Sequence, residues 1–217
     1  MYPSAIPKSF RLAAAVAAVL LSAACRSAGG TAGTQIIQPG APGEANRVLT
    51  ADAATDLSKV QATPADVKFM QGMIGHHAQA IEMTALIDAR TSREEMKLLG
   101  QRIAVSQADE MDMMRAWLRA RGQDIPSEHA HHTEEGMMPG MLSAEQMAEL
   151  AAATGEAFDR LFLRYMIQHH EGALSMVDDL FKTPGAGQEG DINAFAADVD
   201  SDQRMEIDRM RAMLGSR

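Results

Sequence analysis

Apolar residues recur at helical spacing through most of the chain beyond residue 62. Thr63, Pro64 and Asp66 form a helix start, with a capping residue, a proline in the first turn and an early acid. Apolar positions then recur with a period of 3.6 residues as far as about Arg90. No segment shows the alternation of a strand, so the pattern predicts an all-α fold.

Start and stop signals divide the rest of this pattern into further helices. Ser92–Glu95 and Ser143–Gln146 have the sequence of capping boxes, in which a serine side chain caps the first turn. Gly122 is typical of the position just beyond a helix C-terminus. The predicted helices span about 63–90, 92–121, 143–154, 156–182 and 191–214.

The four long helices form two matching pairs. Residues of the first helix recur 93 positions later, and residues of the second helix recur 96 positions later. The matched residues of the first repeat are Phe69, Met73, Ile74, His76, His77, Ala80, Met83, Gln107, Glu110, Asp112, Met114, Arg115, Ala116 and Leu118. Two homologous hairpins predict a four-helix bundle with a pseudo-twofold axis, plus a short extra helix in the crossover.

Each repeat carries two adjacent histidines at matched positions. On a helical wheel, His77 and His170 fall within the apolar face of their helices. His76 and His169 lie near the edge of that face. A buried histidine must make a hydrogen bond or bind a ligand. Two interpretations are therefore open: core histidines bonded to a glutamate of a neighbouring helix, and metal ligands.

Methionines near both histidine pairs favour the metal interpretation. Thioether and imidazole together form a soft ligand set, which suits Cu(I) best among the late transition metals. The candidate ligands are Met73, His76, His77 and Met83 in one repeat, and Met166, His169, His170 and Met176 in the other. Glu110 and Glu206 are candidates to orient the imidazoles from neighbouring helices.

A carboxylate di-iron centre is the alternative metal site. It requires two Glu-x-x-His motifs and one further glutamate from each remaining helix. Glu110 and Glu206 would satisfy the second requirement, but methionine or isoleucine stands three residues before every paired histidine. We therefore expect a binding protein rather than an enzyme. A metal-dependent oxidoreductase on a ferritin-like bundle and a metal-free envelope scaffold are the alternative functions.

The loop at residues 123–142 holds a second group of soft ligands. Its candidates are His129, His131, His132, Met137, Met138 and Met141. One interpretation is a flexible segment that collects metal. The other is a polar loop whose methionines pack on the end of the bundle.

Residues 1–24 have the features of an export signal. Lys8 and Arg11 precede a ten-residue apolar run, which is too short to span a bilayer. The sequence Ser22-Ala-Ala-Cys25 then resembles a bacterial lipobox, in which Cys25 is lipidated. Ser22 stands where such motifs usually have leucine, so ordinary cleavage is the alternative. Residues 25–62 are predicted to be a flexible tether, ahead of a bundle at residues 63–217 made of repeat 63–122, loop 123–142 and repeat 143–217.

Composition narrows the range of partners. Asp and Glu outnumber Lys and Arg by 29 to 20, giving a net charge of −9 that disfavours binding to nucleic acid. The single cysteine excludes an internal disulfide and a thiolate-only metal site. The expected partners are thus a metal ion and, through Cys25, a membrane.

The segment Phe69–Met83 (FMQGMIGHHAQAIEM) resembles the signature of the CopM-like family of exported, ferritin-like helical proteins, which is filed as a domain of unknown function. Met138–Met141, Phe158–Phe162 and Met166–Ala173 resemble the family's second half. The likeness spans about residues 65–214, and the doubled Met-x-x-His-His pattern is highly specific. It implies a four-helix bundle in the cell envelope, with copper binding and resistance in some members. We therefore predict a periplasmic or membrane-anchored copper-binding protein that sequesters or hands on Cu(I).

Overall fold

The computed structural model describes residues 36–38, 45–55, 60–127 and 137–215. The chain divides into two compact units, residues 1–56 and residues 57–217. The predicted lipidation site Cys25 and the candidate loop ligands His129, His131 and His132 lie outside the described residues, so the predictions made for them stay predictions.

A short hairpin lies in the first unit, within the segment predicted to be an irregular tether. Strands β1 (Ile36–Gln38) and β2 (Arg47–Leu49) pair antiparallel, with Ile37 opposite Val48. Helix α1 (Ala51–Thr55) follows them. Isoleucine and valine favour extended backbone through their branched Cβ. This preference is local and too short to appear in a search for helical periodicity.

The second unit is the predicted four-helix bundle. Its long helices are α2 (Pro64–Ala85), α4 (Glu94–Ala120), α6 (Gly155–Lys182) and α7 (Gly190–Gly215), and its short helices are α3 (Ile87–Arg90) and α5 (Ala144–Ala152). Helix α2 packs on α4, α6 packs on α7, and α2 packs on α6. The two hairpins therefore meet through their first helices. Among the described residues, no helix is both long and apolar enough to traverse a bilayer.

Most of the predicted helix starts are confirmed. Thr63 and Ser143 each form a complete capping box with the residue three positions later. The capping box predicted at Ser92 is wrong, because α4 begins after Arg93 and has no side-chain cap. Instead, the hydroxyl of Thr91 accepts a hydrogen bond from the Arg93 N–H at 3.1 Å. Such local hydroxyl bonds compete with capping for the same backbone groups.

The first predicted helix is interrupted before its end at residue 90. The Thr84 hydroxyl donates to the carbonyl of Ile81 at 2.8 Å, and the Leu86 N–H bonds to the carbonyl of Met83, three residues back. Both bonds replace or tighten the regular i to i−4 ladder. The chain therefore leaves α2 at Ala85 and makes the separate turn α3.

Two apolar cores occupy opposite halves of the bundle. The N-terminal half of α2 and the C-terminal half of α6 share the first core, whereas the second core joins the remaining halves, so α2 and α6 are antiparallel. A layer of buried polar side chains lies at the middle of the helices. Its members are His76, His77, Gln79, Gln107, Glu110, His169, His170, Gln203 and Glu206.

The end of the crossover loop is held tightly against the bundle. A Cβ on Gly172 would lie 1.9 Å from the carbonyl oxygen of Pro139, and Gly140 has a positive φ of 77°. The Gln79 amide donates to the Leu142 carbonyl and accepts from its N–H, at 2.9 and 2.7 Å. Glycine at 172 therefore allows the loop backbone to lie directly on α6.

We expect Gly172→Ala to destabilise the bundle, although alanine normally favours a helix. The new methyl group would displace the backbone at Pro139, at a cost of about 1–3 kcal/mol in the free energy of unfolding. Urea unfolding followed by circular dichroism measures it. Gly190→Ala is the matched control, because no atom lies within 4 Å of its Cβ position. Equal stability of the two variants would contradict the close approach.

Candidate metal centre

The four predicted histidines converge on one place in the polar layer. The rings of His76 and His169 stack across the repeats, with centroids 3.8 Å apart and planes inclined by 38°. Within each repeat, the His76–His77 and His169–His170 centroids are 6.4 and 6.1 Å apart. All four side chains are completely buried. The sequence predicts one ligand set in each repeat, whereas the structure brings the histidines of both repeats together at a single centre.

Glutamates of α4 and α7 form hydrogen bonds with His77 and His170, in the orienting positions for which the sequence made them candidates. His77 Nε2 lies 2.5 Å from Glu110 Oε2, and His170 Nε2 lies 2.7 Å from Glu206 Oε2. The glutamates themselves are only 6% and 4% exposed. Each carboxylate accepts a hydrogen bond that fixes the orientation of its imidazole.

Backbone carbonyls hold the other two histidines. His76 Nε2 donates to the Pro139 carbonyl at 3.0 Å, and His169 Nε2 donates to the His76 carbonyl at 3.1 Å. A carbonyl only accepts, so Nε2 carries the proton in both rings. The lone pair of a neutral ring then lies on Nδ1, the other nitrogen that binds metals.

Three of the histidines have an Nδ1 atom that makes no hydrogen bond in the described structure. The Nδ1 atoms of His77, His169 and His170 are buried and have no hydrogen-bond partner among the described residues. A buried acceptor without a partner is costly, so such groups call for a ligand, an ion or water. The described part of the chain contains no ready-made set of three or more His, Cys, Asp or Glu that would hold a metal ion.

Burial keeps His169 in its neutral form. The pKa of His169 lies well below its usual value of 6.5, first because the ring is desolvated and then because His76, His170 and His77 would repel a positive charge. Only the neutral imidazole binds a metal, so the low pKa preserves the binding form.

Carboxylates make the other side of the centre negative. Burial and the nearby charges of Glu110 and Glu206 raise the pKa of Asp202. Arg102 lies at the edge of this group, with its Nε 4.0 Å from Glu206 Oε1. A cation at the centre would be stabilised by the two buried carboxylates, since charges interact strongly where water is excluded.

The predicted methionines occupy three environments. Met73 is fully buried in the first core, whereas Met83 and Met166 are fully buried in the second. Met176 is only partly buried and lines a cavity together with Met137 and Met138 of the loop. These positions separate Met176 from its sequence counterpart Met83.

Met141 is the loop methionine that faces the interior. It is buried, and its sulfur accepts a hydrogen bond from the Met138 N–H at 3.3 Å. Packing therefore explains Met141, as the alternative interpretation of the loop predicts. Met137 and Met138 remain available as ligands.

Two glutamines of the polar layer were missed as site residues. Gln107 and Gln203 are almost fully buried, and each has at least one amide atom without a partner in the described structure. They stand one helical turn before Glu110 and Glu206. Their repetition at the same offset as the glutamates was the available signal, because packing alone rarely requires a repeated buried amide.

Comparison with known families assigns the chain. Residues 66–214 match the model of the family described as Domain of unknown function (DUF305). The chain belongs to the DUF305 family. The match covers both repeats and the loop between them, and confirms the resemblance seen in the sequence. A comparison with functionally curated proteins gives no match.

Solved structures of DUF305 proteins share this fold. A DUF305 fragment from Deinococcus radiodurans is 34% identical, over 71% of this chain and 97% of its own length, with a TM-score of 0.62. A DUF305 protein from Streptomyces coelicolor that is predicted to be secreted is 31% identical, over 69% and 91% of the two chains, with a TM-score of 0.61. CopM in its Cu(I)-bound form is 26% identical, over 68% and 94%, with a TM-score of 0.54. CopM structures with Cu(II) and with silver are also similar to this DUF305 chain.

We expect the free energy of unfolding to fall as the pH drops below about 6.5. The pKa of His169 is lowered in the fold, so the unfolded chain takes up this proton first. One such proton costs at most about 1.4 kcal/mol per pH unit until the folded pKa is reached, and the full stability is present above 6.5.

Urea unfolding between pH 7.5 and pH 5 tests this. His169→Gln serves as the comparison, because it removes the titrating group while an amide still donates towards the His76 carbonyl. Its stability should depend less steeply on pH. Parallel curves for the two proteins would contradict the assignment.

Proposed function

We propose that this DUF305 protein is a copper-binding protein of the cell envelope, which sequesters Cu(I) or hands it on. One observation carries the proposal: four buried imidazoles meet at one centre with every Nε2 already committed to an oxygen acceptor. That arrangement leaves the Nδ1 atoms of His77, His169 and His170 for a metal, while the hydrogen bond at Nε2 fixes the orientation of each ring, as in protein metal sites generally.

The soft surroundings of the centre favour a monovalent ion. Met73 and Met166 are buried and stand three residues before His76 and His169 in their helices. They offer thioethers, which select Cu(I) over harder ions. Cu(I) also accepts low coordination numbers, in keeping with the few free nitrogens. The single positive charge of the ion would partly offset the negative charges of Glu110 and Glu206.

The similarity to CopM supports the same proposal. CopM has been solved with Cu(I), Cu(II) and silver, and the shared fold carries the same type of helical bundle. We propose binding rather than catalysis, because the positions three residues before the histidines hold Met73, Ile74, Met166 and Ile167. A di-iron enzyme requires glutamates there.

An anaerobic Cu(I) titration tests the centre. We expect His77→Gln combined with His170→Gln to weaken Cu(I) binding at least tenfold, because each change removes an Nδ1 ligand. Glutamine can still donate to Glu110 and Glu206, so the helix content by circular dichroism should persist. Met205→Leu is the control, since it removes a thioether that is 50% exposed on α7. Unchanged Cu(I) affinity in the histidine variant would refute the proposal.

Export and anchoring form the second part of the proposal. The signal-like residues 1–24 and the similarity to a DUF305 protein predicted to be secreted support export. The Ser22-Ala-Ala-Cys25 sequence supports a lipid anchor at Cys25.

We expect Cys25→Ser to abolish labelling by a fatty-acid analogue and to move the protein from the membrane fraction to the periplasmic fraction. Lipidation requires the thiol, whereas export depends on the preceding apolar run. Ser22→Ala is the control, because it keeps both features. Unaltered fractionation of the Cys25 variant would show that another feature holds the protein at the membrane.

A further inference from the structure

A cavity of about 620 Å³ lies beside the loop and is lined by three methionines, Met137, Met138 and Met176. Gly72 and Gly75 of α2 line it as well, together with Phe69. Met137 is exposed and Met138 and Met176 are partly buried, so all three side chains are partly open to solvent, although Met176 also packs against the first core. The histidine centre does not use these side chains.

Gly72 allows two of these methionines to approach one point. A Cβ at Gly72 would lie 3.1 Å from the sulfur of Met138 and 3.4 Å from the terminal methyl group of Met176. The two side-chain ends come from different parts of the chain, and both lie over Gly72, which has no side chain. A larger residue would separate them.

The positions related to this cavity by the pseudo-twofold axis have different surroundings. Tyr165 stands at the position equivalent to Gly72, and its hydroxyl donates to Glu149 of α5. Met83, the equivalent of Met176, is fully buried in the second core. Packing therefore explains Met83, but it leaves Met176 beside an open space.

The cavity adjoins the histidine centre. Gly75, which lines it, precedes His76 in α2, and Pro139, which follows Met138, supplies the carbonyl that holds His76 Nε2 at 3.0 Å. Lys68 and Asp179 also line the cavity, and their opposite charges largely cancel. Neutral thioethers are thus the main ligands that an ion would meet there.

We propose that Met137, Met138 and Met176 form a separate thioether site, which captures a soft monovalent ion, Cu(I) or Ag(I), at the entrance to the histidine centre. Thioethers bind such ions, and they do not take up protons. The role as an entrance rests on the proposed copper function, whereas the site itself does not.

Silver nitrate is the test ion, because Ag(I) is stable in air, and the full-length protein carries ¹³C-labelled methionine methyl groups. We expect Ag(I) to shift the methyl signals of Met137, Met138 and Met176. Met138→Leu combined with Met176→Leu should remove one equivalent of bound Ag(I) and leave the histidine class intact, since leucine keeps the volume but lacks the sulfur. Met113→Leu, an exposed change on α4, should remove none.

Two further variants separate this proposal from the histidine centre. His77→Gln with His170→Gln should keep the methyl shifts of Met138 and Met176, even if the histidine centre proves not to bind metal. Gly72→Leu should weaken Ag(I) binding at the thioether site at least tenfold without removing any sulfur, with the fold checked by circular dichroism. Full Ag(I) stoichiometry in the double methionine variant, or loss of the histidine class instead, would overturn the proposal.

Discussion

The cost of removing four imidazoles from water constrains the middle of this bundle. Each ring lies between two apolar cores, where an unpaired nitrogen is expensive, so every Nε2 has an oxygen partner. Two of these partners are glutamates of the neighbouring helices, one is the carbonyl of His76, and one is the carbonyl of Pro139. The positions of α4, α7 and the crossover loop are thereby tied to the histidines.

The same constraint prepares the layer for a cation. Hydrogen bonding satisfies Nε2 but leaves the Nδ1 atoms of His77, His169 and His170 without partners in the described structure, and burial holds His169 in its neutral form. Glu110 and Glu206 add negative charge to a region with little solvent. A metal ion would satisfy the free nitrogens and offset the carboxylates at once, which neither water nor a packed apolar side chain can do.

The bundle follows its internal repeat at the His–Glu pairs and departs from it at the crossover loop. The His–Glu pairs of the polar layer obey the pseudo-twofold axis, since His77 with Glu110 matches His170 with Glu206. At the loop the symmetry fails, because the crossover exists only once and lies on α6 through Gly140 and Gly172. Gly72 faces that loop, whereas its equivalent Tyr165 fills the space on the other side. An asymmetric cavity therefore lies beside the symmetric His–Glu pairs.

Much of the fold was determined by local sequence. Helical periodicity, the caps at Thr63 and Ser143 and the repeated hairpin predict the bundle, because these signals act within a few residues or repeat at a fixed distance. The pairing of His77 with Glu110 also follows from matching positions on neighbouring helices. The sequence likewise indicates that each repeat places an imidazole on the buried face of its first helix.

Tertiary structure decided how those side chains combine. The stacking of His76 on His169, the carbonyl of Pro139 as a ligand-orienting group and the separation of Met176 from Met83 all depend on the antiparallel packing of α2 on α6 and on where the loop lies. Residues more than 60 positions apart meet there. Their contacts depend on where glycines allow two backbones to approach closely and on which spaces between the helices stay unfilled. The periodicity along a single helix contains no information about either.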